Sequence, residues 1–154
     1  MDVNVQQKIE ILLVVLQERY NSLHIIRERV QSISLWILGI LLSASGWLFQ
    51  ADIYITYEQK ILYTTLLLGI WYILKKLYFS DLEKGFNNQR QILAKIEDSL
   101  GLYKKSYYNN SEDTLYPKEW RHSGEKGSEG RFFQNTYNLI AVSFGIFILS
   151  ILIL

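Results

Sequence analysis

Arg19 and His24 are the two residues in this sequence whose types and spacing could support catalysis. They lie five positions apart in a segment that we predict to be helical. A histidine can act as a general acid or base, and an arginine can stabilise the charge that develops on a phosphate during cleavage. The alternative, which we favour, is that Arg19 pairs with Glu18 or with an acid of another predicted helix while His24 lies at a helix interface.

Other catalytic or metal sites have little support in the sequence. The chain has no cysteine, which excludes a disulfide scaffold, a thiolate zinc site and a cysteine nucleophile. Its two histidines, His24 and His122, are almost a hundred positions apart, so we expect no metal site and no cofactor. The acidic pairs Glu97-Asp98 and Glu112-Asp113 are expected to be solvated surface charge.

Residues 102–130 combine loop-forming residues with aromatic and basic side chains. Gly124, Gly127 and Gly130 predict a loop, and their spacing lacks the Lys-Ser/Thr ending of a phosphate-binding loop. We expect exposed aromatic side chains beside basic ones, namely Tyr103, Tyr107, Tyr108, Tyr116, Trp120, Lys104, Lys105, Lys118, Arg121 and His122. Such a surface suits a ligand, an RNA or a partner protein, or it lies on lipid headgroups, the interpretation that we favour.

Two long uncharged stretches determine which elements position these residues. Residues 30–51 and 132–154 contain 22 and 23 consecutive residues without a charged side chain. About 20 apolar residues suffice for a helix to cross the hydrocarbon core, so both stretches are predicted to be membrane spans. A third run, 61–74, has 14 residues and spans the bilayer if Lys75 and Lys76 extend to the interface. The predicted fold class is therefore an all-α membrane protein with about three transmembrane helices.

The distribution of charge predicts how the spans are oriented. Fifteen of the 16 basic residues lie on one side of the predicted spans, and the turn between the first two holds only Lys60. The positive-inside rule then places the N-terminus and residues 80–131 in the cytoplasm, and the turn and the C-terminus outside. The net charge of +1 argues against specific DNA binding.

Amphipathic helices are predicted on the cytoplasmic side. In the first 31 residues the apolar positions form a coiled-coil-like seam, and no glycine or proline separates this helix from the first span. After the second span, Ser80-Asp-Leu-Glu83 predicts a capping box and Gly101 a helix end. We expect these two helices to pack antiparallel. The predicted organisation is a cytoplasmic helix, a two-span hairpin, a cytoplasmic helix plus loop and a final span, at residues 1–31, 32–79, 80–131 and 132–154.

Small residues in the spans predict close helix contacts. Gly39 with Ser43, and Ala141 with Gly145, form small-xxx-small steps, and Gly46 shares the face of Gly39. These contacts lie either within one chain or between subunits. The spans hold no clear acid, base or histidine, which argues against a pump or transporter. Three spans enclose no aqueous path, so conduction requires an oligomer, whose cytoplasmic mouth we assign to Arg27, Arg29 and Ser32.

Two resemblances to known families bear on function. The segment from Arg19 to His24 resembles the Arg-x4-His motif of HEPN ribonucleases, which implies RNA cleavage by motifs of two subunits. The layout of residues 5–100 resembles SLATT-type membrane effectors of anti-phage systems, and accessory membrane proteins encoded beside RNA-guided CRISPR nucleases. That likeness implies a chain that oligomerises and breaches the inner membrane when a cytoplasmic sensor signals infection. The third span departs from the two-span pattern.

We therefore expect a non-enzymatic, homo-oligomeric inner-membrane effector that forms a pore or disrupts the membrane in anti-phage defence. The alternatives are a membrane-tethered HEPN-like ribonuclease and a scaffold subunit that binds a soluble partner through residues 102–130. The expected partners are the lipid bilayer, further copies of the chain and a cytoplasmic protein, nucleotide or RNA signal. Assembly is assigned to Leu16, Leu23 and Ile26, and an aspartate at Leu16 or Ile26 should abolish it.

Overall fold

A computed structural model describes residues 4–51, 53–107, 113–125 and 131–154, and every regular element in these ranges is helical. In chain order the elements are α1 (Val5–Gln50), α2 (Tyr57–Ile73), a π-helical segment (Leu74–Phe79), α3 (Ser80–Ser99), a 3₁₀ helix (Lys118–His122) and α4 (Phe132–Ile153). Three stretches of helix are long and apolar enough to cross a membrane. The all-helical fold and the three apolar helices predicted from the sequence are therefore confirmed.

α1 is a single helix of 46 residues. It contains both the amphipathic N-terminal segment and the first uncharged run, as the lack of glycine and proline before Leu38 predicts. At about 1.5 Å per residue its length is about 70 Å, whereas the hydrocarbon core of a bilayer is about 30 Å thick. Only about half of α1 can therefore lie within a bilayer.

The helical backbone also continues from α2 through the π-helical segment into α3. α2 begins at an unpredicted capping box, in which the Thr56 hydroxyl accepts from the Gln59 N–H and the Gln59 side chain accepts from the Thr56 N–H. The capping box predicted at Ser80 is not formed. Ser80 has helical dihedral angles, and its N–H bonds to the carbonyl of Lys75. Ser80 therefore lies within a continuous helix and does not start a new one.

α3 ends at Ser99, and Gly101 follows as the glycine that the sequence predicts at the helix end. This glycine has a φ of +80°, its N–H bonds to the carbonyl of Asp98, and the N–H of Leu102 bonds to the carbonyl of Glu97. These two bonds define a Schellman motif, which reverses the chain at the end of a helix. Tyr103 consequently lies beside the last turns of α3.

The described residues divide into two compact units. The first contains residues 4–27, 84–107 and 113–125, and the second contains residues 28–51, 53–83 and 131–154. Apolar residues of α1 and α3 are buried in the first unit, namely Leu23, Phe86, Leu93, Ala94 and Ile96. This unit also contains the buried carboxylate Glu97.

In the second unit, α2 and α4 run antiparallel. Lys60, near the start of α2, donates a hydrogen bond of 3.3 Å to the carbonyl of Leu152 at the end of α4. Tyr137, near the start of α4, donates one of 2.6 Å to Oε2 of Glu83, beyond the π-helical segment. The two contacts lie at opposite ends of the helices, which sets their relative direction.

An apolar cluster brings α1, α2 and α4 together near the turn between α1 and α2. It consists of Leu48, Ile55 and Ile151, with Leu67, Phe147 and Leu154 packed against them. Elsewhere the helices of this unit leave large apolar side chains exposed, and α2 contains no buried residue. Trp36, for example, is 69% exposed.

Candidate functional site

Glu97 is fully buried in the first unit and is the centre of a polar network. Tyr20 of α1 donates a hydrogen bond of 2.5 Å to Oε1, and Tyr103 donates one to Oε2. An Nη of Arg90 lies 3.9 Å from Oε1. A buried carboxylate needs such partners because its charge loses the stabilisation that water gives. The prediction that Glu97 is solvated surface charge is therefore wrong.

The helical register of α3 explains why Glu97 is buried. Glu97 follows Phe86 by eleven positions and Leu93 by four, which places all three on one face of the helix at about 3.6 residues per turn. Phe86 and Leu93 are also buried. A carboxylate within an apolar stripe was thus the signal in the sequence that could have identified this residue.

Burial raises the pKa of the Tyr20 and Tyr103 hydroxyls above the usual value of about 10. Their hydrogen bonds to Glu97 raise it further, because a second negative charge beside the carboxylate is unfavourable. At Tyr103 the positive charge of Arg90 acts in the opposite direction. Both tyrosines are therefore neutral donors at physiological pH.

A chain of aromatic rings extends from this network into the loop. Tyr116 lies edge-on to Tyr103 at 6.1 Å and to Trp120 at 5.6 Å between ring centroids. The prediction that Tyr103 is exposed is wrong, because its side chain is only 7% exposed. Tyr107 and Trp120 are exposed as predicted, and Tyr108 lies outside the described residues.

Gly124 joins the loop to α3. It has a φ of +87°, and its carbonyl accepts a hydrogen bond of 2.8 Å from Nε2 of Gln91. A Cβ at this position would lie 2.5 Å from the carbonyl oxygen of Asn87. The close approach of the two backbones thus explains why residue 124 is a glycine, and a bound phosphate is not needed to explain it. Gly127 and Gly130 of the same spacing lie outside the described residues.

A cavity of about 400 Å³ lies beside the network and is lined by Tyr20, Leu23, His24, Arg27, Phe86, Arg90 and Trp120. The guanidinium of Arg27 lies 5.1 Å from the centroid of the Phe86 ring, and that of Arg90 lies 6.0 Å from the centroid of Trp120. The described residues of the lining thus include two guanidinium groups and an imidazole but no carboxylate. This combination suits a small anion with a flat apolar part.

Arg19 and His24 have different surroundings. Nη1 of Arg19 donates a hydrogen bond of 2.7 Å to Oε1 of Gln89, and its buried Nε has no hydrogen-bond partner in the part of the chain that the structure describes. His24 lines the cavity and a second hollow of about 530 Å³, whereas Arg19 lines neither. Five helical positions correspond to a rotation of about 140°, so the two side chains leave α1 on different sides. Their joint catalytic role stays a prediction.

The residues assigned to assembly and to a pore mouth lie in mixed environments. Leu23 is buried, whereas Leu16 and Ile26 are half-buried, so the seam contributes to the chain's own core. Arg27 lines the cavity. Arg29 and Ser32 are exposed. The assignments to an oligomer stay predictions.

The small residues of the spans do not make close contacts within the chain. Gly39, Ser43, Gly46 and Ala141 are exposed. A Cβ at Gly39, Gly46 or Gly145 would meet no atom of the described residues within 4 Å, its own helix backbone aside. We call the surface formed by Gly39, Ser43 and Gly46 the small-residue face of α1.

α1 uses the opposite face for packing inside the second unit. Val30, Ser34, Ser45 and Leu48 are all buried. At about 100° per residue, the mean direction of these four side chains around the axis of α1 is roughly half a turn from that of the small-residue face. α1 therefore has one face that is covered by the chain and an opposite face that is not.

The second unit also contains buried hydroxyl residues that were not predicted from the sequence. Ser34 and Ser45 of α1 and Thr136, Ser143 and Ser150 of α4 are at most 8% exposed. Each donates a hydrogen bond to the carbonyl four positions earlier. The three α4 positions are seven residues apart, a spacing that keeps them on one face and could have identified the packing surface.

Comparison of the chain with models of known protein families, with curated proteins and with solved structures gives no match.

Proposed function

We propose that this chain is a homo-oligomeric, multi-pass inner-membrane effector that perturbs the membrane in bacterial anti-phage defence. The observation that carries the proposal is the small-residue face of α1, which lies opposite the face that the chain itself covers. Small residues let membrane helices approach closely, so an uncovered face of this kind suits a second copy of the chain.

The exposed apolar side chains of the second unit support insertion into a bilayer. Leu35, Trp36, Ile40 and Trp47 of α1 are each more than half exposed. A surface patch of this kind is unfavourable in water, whereas lipid chains solvate it. The turn between the first two spans has one basic residue, Lys60, whereas the opposite side of the spans has fifteen. This difference favours a cytoplasmic first unit.

The first unit is the proposed sensing part. Its contacts support an antiparallel pairing of α1 with α3, because Arg27 contacts Phe86 while Tyr20 contacts Glu97. Along this contact, residue numbers on α3 fall as residue numbers on α1 rise. The cavity with its two guanidinium groups lies in this pair and is the proposed place for an activating signal.

Membrane perturbation requires several copies in this proposal. Three helices leave no aqueous path between them, whereas a ring of subunits joined through α1 encloses one. Apolar and hydroxyl side chains then line the path, and it opens or closes by wetting and dewetting.

The test uses liposomes loaded with a fluorescent dye and protein variants with a bulky residue on one face. The double variant Gly39→Leu/Gly46→Leu should fold, because both positions face open space, but should lose oligomers in chemical crosslinking and lose dye leakage. Gly69→Leu is the matched control, since this α2 glycine also faces open space but is off the small-residue face. Full leakage from the double variant, or none from the wild type, would contradict the proposal.

A further inference from the structure

Two adjacent lysines lie in the π-helical segment that follows α2. Nζ of Lys75 lies 5.2 Å from the ring centroid of Trp71 and 5.9 Å from that of Tyr137. Nζ of Lys76 lies 5.3 Å from the ring centroid of Tyr72 and donates a hydrogen bond of 2.8 Å to its hydroxyl. Both ammonium groups are thus held next to aromatic rings that prefer the boundary between lipid and water.

These side chains, together with Ser80 and Glu83, line an open pocket of about 600 Å³. The backbone there is π-helical, a rare conformation that is frequently found at functional sites. Beside the pocket the fully buried Phe79 packs edge-on against Tyr137, with 6.3 Å between ring centroids. The packing of Tyr137 on Phe79 holds α4 against the end of the α2 helix.

The charges of the pocket favour a ligand with one negative charge. Lys75 and Lys76 contribute two positive charges, and Glu83 contributes one negative charge. Oε2 of Glu83 accepts a hydrogen bond of 2.6 Å from Tyr137, which keeps the carboxylate at the wall. The resulting excess of one positive charge is neutralised by one phosphodiester, which carries a single negative charge.

We propose that this pocket binds the headgroup phosphate of an anionic phospholipid such as phosphatidylglycerol. The proposal rests on the membrane insertion proposed above, which puts the end of the apolar α2 run and the start of α4 at headgroup depth. Lys75 and Lys76 donate to the phosphate oxygens, and Trp71, Tyr72 and Tyr137 contact the glycerol and the upper acyl chain. Basic pockets between membrane helices on the cytoplasmic side recognise headgroups in this way.

The test measures lipid retained by the purified full chain. The protein is reconstituted in nanodiscs of phosphatidylcholine with a minor fraction of phosphatidylglycerol, extracted in mild detergent and analysed by native mass spectrometry. Lys75→Gln and Lys76→Gln should each lower phosphatidylglycerol retention about five-fold, because one positive charge near a membrane surface contributes about that factor. Lys75→Arg should retain the lipid, and Lys60→Gln, at the opposite end of α2, should match the wild type.

A second arm adds soluble glycerol phosphate as a competitor, which should not displace the lipid. Displacement by the soluble anion would overturn the assignment to a membrane lipid. Equal retention by the wild type and by Lys75→Gln/Lys76→Gln, both inserted in the nanodisc, would overturn the lipid site and leave the proposed membrane function standing. A wild-type chain that does not insert would overturn both.

Discussion

Tyr20 and Glu97, 77 positions apart in the chain, are joined by a hydrogen bond of 2.5 Å from the phenol to a carboxylate with no exposed surface. Tyr103 bonds to the other oxygen of the same carboxylate. Glu97 of α3 therefore binds both α1 and the loop after Gly101 through its two carboxylate oxygens. The stability of the first unit should depend strongly on it.

Replacing Glu97 by alanine should destabilise the first unit by about 3 kcal/mol, because Tyr20, Tyr103 and Arg90 lose the group that pairs them. Hydrogen–deuterium exchange of the detergent-solubilised protein should show faster exchange in α1 around Tyr20. Asp98→Asn is the matched control: its ion pair with Arg121 is solvent-exposed and should contribute less than about 1 kcal/mol. Equal effects of the two substitutions would contradict the assigned role of Glu97.

The raised pKa values of Tyr20 and Tyr103 predict a loss of stability in alkali. Each tyrosine binds its proton more tightly in the folded than in the unfolded state, so folding is favoured fully below pH of about 10. The contribution declines as pH rises above that value. Denaturant melts at increasing alkaline pH should show this decline, and it should be smaller in Tyr20→Phe/Tyr103→Phe. An identical pH dependence in the double variant would rule this mechanism out.

Two glycines of the first unit should differ in their tolerance of alanine. Both have a positive φ, which strains alanine, but Gly124→Ala should cost about 2 kcal/mol or more, since its new Cβ would also lie 2.5 Å from a backbone oxygen. Gly101→Ala should cost less, because the Cβ would meet only the movable ring of Tyr107. Thermal melts of both variants test the order. The reverse order would show that the loop does not pack on α3 as described.

Ser143 and Gly145 of α4 should respond oppositely to a large side chain. Ser143 has no exposed surface, whereas Gly145 faces open space, so Ser143→Leu should disrupt the second unit and Gly145→Leu should not. Ser143→Ala should cost less than about 1 kcal/mol, since the hydroxyl bonds only to its own helix. Thermal aggregation in detergent measures all three. Disruption by Gly145→Leu alone would place the packing face on the other side of α4.

Features that depend on neighbouring residues could be predicted from the sequence. The helical continuity of α1 follows from its composition. The end of α3 follows from Gly101, because glycine readily adopts the positive φ that ends a helix. Ser80 shows the limit of a local rule: the capping pattern is present, but the helix that precedes it does not stop.

Features that depend on distant residues could not be predicted in this way. The burial of Glu97 needs Tyr20, which sequence spacing does not connect to it. The choice between two possible packing faces of α1 likewise depends on α4. A search for acidic residues within apolar stripes would have found Glu97 but not its partners.

The buried hydroxyls of Ser34, Ser45, Thr136, Ser143 and Ser150 have a consequence for how the chain is made. Each hydroxyl is already satisfied by its own helix, four positions back. If the chain inserts into the membrane as proposed above, these hydroxyls need no partner from another span when their own span enters lipid. These five hydroxyls therefore set no fixed order in which the spans must meet during insertion.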